Sequence, residues 1–292
     1  MSRTHDELQE LPDWMVPPQE AERRCTDFIR AVLTAAGYER VVVGLSGGID
    51  SAVSAALAAR ALGAPQVLGV LMPYRTSAPA SEEDARDVAD RLGIPIERVD
   101  ISRPVDALLA GRPDADRIRR GNVMARARMT ILYDISSRDR RLVLGTGNRT
   151  EALLGYTTLH GDSACSLNPL GRLYKAEVRA LARHLGLPPA VLTKAPSADL
   201  WAGQSDEEEL GFTYAAADRL LHHLLDEGLQ ERQLAALGFS ADLIRRVAQR
   251  VRSTAFKRVA PPVAEFPGRP DPDRPRTSLV DAGDAPAEGG IH

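Results

Sequence analysis

The stretch Val41–Ser51, VVVGLSGGIDS, joins three β-branched residues to a turn of small residues, and then to a carboxylate and a hydroxyl at the start of an Ala-rich segment. β-branched residues favour strands, whereas an Ala-rich segment favours a helix. Glycines at a strand-to-helix turn let several backbone N–H groups converge at the helix N-terminus, where anions bind. The stretch therefore predicts a phosphate-binding loop that includes Gly44, Ser46, Gly47, Gly48 and Ser51.

Two common phosphate motifs do not fit this loop. No Lys-Ser/Thr ending follows it, as a Walker loop requires, and Gly44-x-x-Gly47-Gly48 does not match the dinucleotide pattern Gly-x-Gly-x-x-Gly. One alternative is a purely structural turn in which Asp50 caps the helix. If the loop instead binds phosphates, Asp50 needs a cation beside it, and the loop then predicts Mg²⁺.

Four short apolar runs alternate with Ala/Leu-rich, charged segments. The runs cover residues 40–45, 66–72, 95–101 and 141–146, and helical segments such as 51–62 and 81–92 lie between them. This order predicts an α/β fold, a Rossmann-like doubly wound parallel sheet with helices on both faces. Ligands of such sheets bind beyond the carboxyl ends of the strands, where the predicted loop lies.

Helical periodicity continues after the predicted sheet, and the composition then changes. We expect helices over 122–135, 175–185, 213–226 and 241–257. After Ala260 the chain carries seven of its 20 prolines, few large apolar residues and no periodicity. The sequence therefore predicts one domain over 1–260 and a disordered Pro/Asp/Gly-rich tail over 261–292.

Composition excludes several classes of function. The chain is 43% hydrophobic and 26% charged, and no apolar run approaches the roughly 20 residues of a membrane span. A net charge of −3 gives no general attraction for nucleic acid. Cys25 and Cys165 form no metal-binding spacing, and the first residues lack a secretory signal pattern. We expect no membrane or nucleic-acid partner and a cytoplasmic location.

A second carboxylate follows another predicted strand. LVLGTGNRTEALLGY (142–156) continues from an apolar run through a small-residue turn to Glu151 near a helix start. Alone, Glu151 is typical of a first-turn helix acid. Two strand-end turns that each carry an acid instead predict that Asp50 and Glu151 bind a shared Mg²⁺. The acidic run 206–209, by contrast, is typical of a solvated helix start.

The pattern Ser-Gly-Gly-x-Asp-Ser resembles the pyrophosphate loop of the N-type ATP pyrophosphatases. Within that superfamily the chain is similar to the ammonia-dependent NAD synthetases, which convert deamido-NAD into NAD. The resemblance spans roughly residues 42–258. It rests on five ordered segments: GLSGGIDS (44–51), GNVMARARM (121–129), GTGNRTEALLGY (145–156), NPLGRLYKAEVRALARHLGLP (168–188) and KAPSADLWAGQSDEEELGFTY (194–214).

The resemblance implies an adenine nucleotide alpha hydrolase-like fold and a role for each matching residue. Residues 44–51 would bind the ATP phosphates, and Asp50 and Glu151 would hold Mg²⁺. Thr146, Lys175 and Ser197 would contact ATP, with Ser197 where the family usually has Thr. Asp50, Glu151 and Lys175 would be the catalytic residues, whereas Arg126 and Lys257 would contact deamido-NAD. Family members are homodimers, which we therefore expect here.

Three substrate positions depart from the family pattern. Leu159 stands where the family has Lys, Ser166 where it has Asp, and Phe256 where it has His. One alternative is an amide synthetase that acts on a different carboxylic acid, in specialised metabolite biosynthesis. The other is the ordinary reaction with deamido-NAD bound through different side chains, which Arg126 and Lys257 favour.

The implied reaction is adenylation of a small-molecule carboxylate by ATP, release of pyrophosphate, and displacement of AMP by ammonia. About 40 residues precede the loop, too few for the glutaminase domain of glutamine-using members, so free ammonia or a separate glutaminase would supply nitrogen. No nucleophilic side chain is required: we expect Cys25 to be a core thiol and Cys165 to line the pocket. A nucleotide sensor without catalysis is a third hypothesis, against which Asp50, Glu151 and Lys175 argue.

Overall fold

A four-stranded parallel sheet lies at the centre of the computed structural model, which describes residues 12–197, 200–201 and 203–264. The strands are β1 (Val41–Gly44), β2 (Val67–Leu71), β3 (Ile96–Arg98) and β4 (Leu142–Val143). Their order is β3-β2-β1-β4, and β1 pairs in parallel with both β2 and β4. The predicted parallel α/β sheet is confirmed.

Twelve α-helices surround the sheet within the described ranges. In chain order they are α1 (Pro18–Ala36), α2 (Ile49–Leu62), α3 (Pro79–Leu92), α4 (Ser102–Leu109), α5 (Arg117–Asp139), α6 (Arg149–Leu154), α7 (Lys175–His184), α8 (Pro189–Thr193), α9 (Asp206–Leu210), α10 (Tyr214–Leu221), α11 (Glu231–Ala236) and α12 (Ala241–Ser253).

Successive residues of β1 face opposite sides of the sheet, as the pleat of a strand requires. Val41 and Val43 pack into a core with α1, α2, α3 and α7, whereas Val42 packs into a second core with α4 and α5. All three valines are fully buried. Helices therefore cover both faces of the sheet, and the doubly wound architecture is confirmed.

A third core lies in the C-terminal half of the described chain. Residues of α6, α10, α11 and α12 pack together there, among them Leu154, Leu220, Leu234 and Val247. All four side chains are fully buried. This cluster anchors α6, the helix that carries Glu151.

Three helices differ from their predicted bounds by more than two residues. The helix predicted over 122–135 extends over 117–139, since Asp116 caps it by accepting a hydrogen bond from the N–H of Arg119 (2.8 Å). The helix predicted over 213–226 ends as an α-helix at Leu221 and continues as a π-helical turn, His222–Asp226. The one predicted over 241–257 ends at Ser253, and a 3₁₀ turn follows over Ala255–Arg258. Hydrophobic periodicity does not distinguish these helix types.

The predicted tail over 261–292 lies outside the described residues except for 261–264. The single domain predicted over 1–260 stays a prediction. Across the described helices, none combines the length and the apolar character that a bilayer crossing requires.

Candidate active site

A cavity of about 830 Å³ opens beyond the carboxyl ends of the strands. Most of the predicted ATP and metal residues line it: Gly44, Ser46, Gly48, Asp50, Ser51, Thr146, Glu151, Lys175 and Ser197. Gly47 does not line the cavity, and it lies against the backbone of Ser81. The structure therefore brings the predicted loop and both predicted acids to one place.

The predicted phosphate loop folds back on itself. Gly47 has a left-handed φ of 73°, and a Cβ there would lie 2.2 Å from the carbonyl oxygen of Ser81. The Ser51 hydroxyl donates to the carbonyl of Gly48 (2.9 Å), and the N–H of Ser46 donates to Ser51 Oγ (3.3 Å). Gly48 is the N-cap of α2 and has no side chain to occupy its first N–H groups. These N–H groups can therefore donate hydrogen bonds to an anion.

Asp50 lies in the first turn of α2 and makes no capping hydrogen bond, so the alternative in which it caps the helix is wrong. Its Oδ1 accepts from the side-chain amide of Asn148 (2.9 Å) and its Oδ2 from Lys175 Nζ (2.5 Å). Lys175 Nζ also donates to Glu151 Oε1, at 3.1 Å. One buried ammonium thus joins the two predicted metal ligands.

Glu151 is held by the residue that begins its own helix. Asn148 caps α6: its side chain accepts from the N–H of Glu151 (3.0 Å), and its own N–H donates to Glu151 Oε2 (3.2 Å). Asn148 is fully buried and contacts both acids. The sequence reasoning missed Asn148, although Asn-x-x-Glu after a small-residue turn is a capping-box signal.

Lys175 and Asp50 both act on the charge of Glu151. Burial, together with the Asp50 carboxylate, raises the pKa of Glu151 to about 7 against the opposing effect of Lys175. Burial alone would lower the pKa of Lys175, but the carboxylates of Asp50 and Glu151 raise it above its usual value. The lysine is therefore a fixed cation. When both acids are ionised, the three side chains together carry one net negative charge.

A second network fixes the start of α7, and the sequence reasoning missed it. The N–H of Lys175 donates to Thr150 Oγ1 (2.9 Å), whose hydroxyl donates to Asp218 Oδ1 (2.5 Å). Asp218 Oδ2 accepts from the N–H of Ala176 (2.8 Å). Burial raises the pKa of Asp218 to about 6. Asp218 thus ties α6, α7 and α10 together, and only the fold reveals this contact across 68 residues of sequence.

The predicted environment of Asp206 is also corrected by the structure. It is buried and lines the cavity, so a solvated helix start is wrong for this residue. The hydroxyl of Tyr214 donates to Asp206 Oδ2 (3.2 Å), and Lys175 Nζ lies 5.2 Å from the centre of the Tyr214 ring. Burial, followed by the nearby carboxylates, raises the pKa of Tyr214. Tyr214 therefore stays a neutral hydrogen-bond donor beside the site.

The predicted substrate residues are placed differently from the ATP residues. Lys257 lines the cavity and donates to the carbonyls of Gly155 (2.8 Å) and Thr157 (2.6 Å). Arg126 donates to the carbonyl of Leu159, at 3.3 Å.

Three residues differ from the family pattern, and none of them lines the cavity that the described residues form. Leu159 contacts Arg126 through its carbonyl, and Ser166 Oγ accepts from the N–H of Val143 (3.3 Å). Phe256 is 59% exposed. Arg126 does not line the cavity either. Of the five predicted substrate residues, only Lys257 lines the cavity that the described residues form. Their roles in substrate binding stay predictions.

Both cysteines are free thiols. Cys25 is buried in the core, as expected, and burial raises its pKa to about 11. Cys165 packs against Gly145, where an added Cβ would lie 2.7 Å from its Sγ. It is not among the residues that line the cavity, so the expectation that it lines the pocket is wrong within the described chain.

Comparisons with known proteins agree with this geometry. Residues 21–261 match the family described as NAD synthase. An NH(3)-dependent NAD(+) synthetase of Chlorobium phaeovibrioides is 51% identical over 251 residues, which cover 86% of this chain and 91% of that protein.

Solved structures are similar over the same part of the chain. An NMN synthetase from Francisella tularensis has a TM-score of 0.77 and 32% identity, and the match covers 86% of this chain and 100% of that one. An NH3-dependent NAD synthetase from Campylobacter jejuni, in complex with the nitrate ion, has a TM-score of 0.73 and 34% identity, with the same coverage.

Proposed function

We propose that this chain, which belongs to the NAD synthase family, is an ammonia-dependent NAD synthetase that forms NAD from deamido-NAD, ATP and ammonia. The observation that carries the proposal is the convergence of Asp50 and Glu151 on Lys175, beside the open N-terminus of α2. The family predicted from the five sequence segments is confirmed.

The reaction proposed is that of a carbon–nitrogen ligase. A carboxylate oxygen of the substrate forms a bond to the α-phosphorus of ATP, and the bond from that phosphorus to the bridging oxygen breaks, which releases pyrophosphate. Ammonia then bonds to the acyl carbon and gives up one proton to solvent, the bond from that carbon to the AMP oxygen breaks, and AMP leaves. The N–H groups at the start of α2 would hold the pyrophosphate, since preorganised donors stabilise charge where it develops. Lys175 would place its ammonium beside the same phosphates.

The donor set beside Lys175 fits Mg²⁺. Each of the four carboxylate oxygens of Asp50 and Glu151 accepts one hydrogen bond, which leaves a lone pair on each. Oxygen ligands and a surplus negative charge are what Mg²⁺ prefers. Asp50 and Glu151 would hold the ion, which when bound would neutralise charge on the departing pyrophosphate.

The second candidate, an amide synthetase for another acid, is less well supported. It rests on Leu159, Ser166 and Phe256, whose side chains lie outside the cavity lining of the described chain. The relative with 51% identity carries the name of the ordinary activity. One similar structure is of an NMN synthetase, so the mononucleotide acid that would give NMN is the sharpest competitor to include in an assay.

Ammonia is the proposed nitrogen source, because the Chlorobium relative is named NH(3)-dependent and this chain covers 91% of its length. A separate glutaminase partner, a homodimeric state and a cytoplasmic location stay predictions. Light scattering coupled to gel filtration measures the mass in solution, and a value near 63 kDa, about twice 31.6 kDa, would support the dimer. A mass equal to that of one chain would contradict it.

One assay tests the proposed function. Purified protein is incubated with ATP, Mg²⁺ and ammonium, and pyrophosphate, AMP and NAD are measured with deamido-NAD, with the mononucleotide acid, or with neither. We expect all three products in equal amounts with deamido-NAD and no pyrophosphate without an acid. Turnover of the mononucleotide acid in preference to deamido-NAD would favour the second candidate. The absence of pyrophosphate under every condition would refute both.

A further inference from the structure

A cluster of two histidines and one glutamate lies outside the cavity, at the end of α10. His222, His223 and Glu227 each offer one ligand atom, and these atoms lie within 4.8 Å of one another. None of the three lines the active-site cavity. The cluster is therefore separate from the predicted ATP and metal residues.

The π-helical turn His222–Asp226 creates this arrangement. The N–H of Glu227 donates to the carbonyl of His222 (3.1 Å), five residues earlier, which is the wide hydrogen bond of a π-helix. Glu227 consequently follows His222 by one π turn and His223 by one α turn. Both imidazoles then face the same carboxylate: His222 Nε2 lies 3.1 Å from Oε1, and His223 Nδ1 lies 2.7 Å from Oε2.

His222 has a carboxylate at each ring nitrogen. Its Nδ1 lies 3.4 Å from Asp226 Oδ2, while its Nε2 faces Glu227. A neutral imidazole carries only one N–H, so a proton on Nδ1 leaves two lone pairs facing each other between Nε2 and Glu227. A cation at that point removes the conflict, either as a second proton on the ring or as a metal ion bound to Nε2.

The residues around His222 hold its ring in place for a metal. Asp226, which faces His222 Nδ1, accepts from the hydroxyl of Tyr174 (2.7 Å) and pairs with Arg149. A fixed carboxylate on the far nitrogen of an imidazole is the usual support of a metal-binding histidine. The Trp14 ring stacks on His222, with centroids 5.1 Å apart.

Exposure leaves one side of the cluster open. The histidine side chains are 15% and 17% exposed, whereas that of Glu227 is 43% exposed. The two nitrogen ligands are thus nearly fixed, and the oxygen ligand can adjust to an ion. A fourth position faces solvent beside Glu227, where water can complete a tetrahedral shell.

We propose that His222, His223 and Glu227 bind a divalent transition metal, and that Zn²⁺ is the best fit. Two imidazole nitrogens, one carboxylate oxygen and one water form a common Zn²⁺ ligand set, whereas Mg²⁺ prefers oxygen ligands. Zn–N distances of about 2.0–2.1 Å place tetrahedral ligands about 3.3 Å apart. The contact between His222 Nε2 and Glu227 Oε1 is close to this value at 3.1 Å, and the ligand atoms, all within 4.8 Å of one another, would adjust around the ion. The inference does not depend on the proposed function.

Calorimetric titration with Zn²⁺ tests the site. The full chain, without a histidine tag and treated with a chelator, is titrated in excess Mg²⁺ so that the acids of the cavity are occupied. We expect one Zn²⁺ per chain. Glu227→Gln should weaken binding at least tenfold, because it replaces the charged oxygen ligand on a side chain that is 43% exposed. The matched control is Glu231→Gln, an exposed glutamate on α11, which should bind within twofold of the unchanged protein.

A second measurement identifies the ligands. Co²⁺ in place of Zn²⁺ should give visible absorption bands of a four-coordinate site, and His223→Gln should abolish them while the thermal unfolding midpoint without metal stays within a few degrees. Absence of Zn²⁺ binding by the unchanged protein would overturn the proposal. Binding that Glu227→Gln does not weaken would also overturn it, because the ion would then lie elsewhere, such as on a cysteine.

Discussion

Replacing Lys175 by Met removes the ammonium that joins Asp50 and Glu151 and keeps a side chain of similar length. Lys175 is 2% exposed, and its Nζ lies 2.5 Å and 3.1 Å from the two carboxylates. Removing one partner from a buried ion pair costs about 3–5 kcal/mol, because the other charge is left without compensation. The carboxylates are 18% and 16% exposed and keep their bonds to Asn148. We therefore expect Lys175→Met to lower the free energy of unfolding by about 2–3 kcal/mol at pH 8.

The loss should depend on pH, because a proton can replace the ammonium. In the folded protein the pKa of Glu151 is raised to about 7 by burial, despite the opposing effect of Lys175. Without the lysine it must rise further. A carboxyl group whose pKa is raised by folding contributes stability below its unfolded pKa, and that stability is lost as the pH rises through the folded pKa. The difference between the two proteins should thus be smaller at pH 5.5 than at pH 8.

Urea unfolding at both pH values measures these differences. Lys194→Met is the matched control, since Lys194 Nζ lies 2.7 Å from Asp84 but its side chain is 30% exposed. A partly exposed pair contributes about 0–1 kcal/mol, so the control should change stability little at either pH. Lys175→Met with a loss below about 1 kcal/mol, or with an equal loss at both pH values, would refute this account of the buried charges.

Three further predictions follow from the same contacts. Asp50→Asn should reduce turnover by about a thousandfold, a loss of about 4 kcal/mol in transition-state stabilisation, with unchanged circular dichroism; near-normal rates of pyrophosphate release would contradict the metal assignment. Gly47→Ala should weaken ATP binding and cost more stability than Gly186→Ala, because both glycines have positive φ but only at Gly47 would the Cβ collide with a backbone oxygen; equal unfolding midpoints for the two variants would exclude that collision. Asp218→Asn should destabilise the protein by about 1–3 kcal/mol in urea unfolding, because the hydroxyl of Thr150 and the N–H of Ala176 both donate to Asp218, and the amide NH2 of Asn would leave one of these donors without an acceptor. A free energy of unfolding within about 0.5 kcal/mol of that of the unchanged protein would show that this network does not stabilise the fold.

The sheet and the strand-to-helix loop could be predicted because their determinants are local. The β-branched run of β1, the small residues after it and the repeat of strand and helix all lie within short windows of sequence. The parallel pairing follows from the repeat itself, since a helix between two strands returns the chain in the same direction. The convergence of Asp50 with Glu151 could likewise be anticipated. Asp50 follows β1 and Glu151 follows β4, and the carboxyl ends of these two paired parallel strands lie side by side.

The supporting residues could not be predicted, because their partners lie far away in the chain. Asp218 looks like an ordinary polar position of an amphipathic helix until α10 packs against α6 and α7. Asp206 stands in a run of four acids, and its burial, together with the hydrogen bond from the Tyr214 hydroxyl, distinguishes it from its neighbours. The π-helical turn at His222 leaves the apolar pattern of α10 intact, so the sequence pattern predicts a continuous α-helix there.

The position of Lys175 gives a reason for the whole arrangement of charges. It is the first residue of α7, where the helix dipole disfavours a cation, and it is buried, which disfavours any charge. Asp50 and Glu151 lie in the first turns of α2 and α6, where the dipole favours anions. The two acids therefore compensate a lysine that its own helix destabilises, and the lysine in turn limits the repulsion between them. If a phosphate chain enters beside the start of α2, as proposed, it would meet a cation already fixed in place, and the electrostatic cost of fixing that cation would have been met during folding rather than during binding.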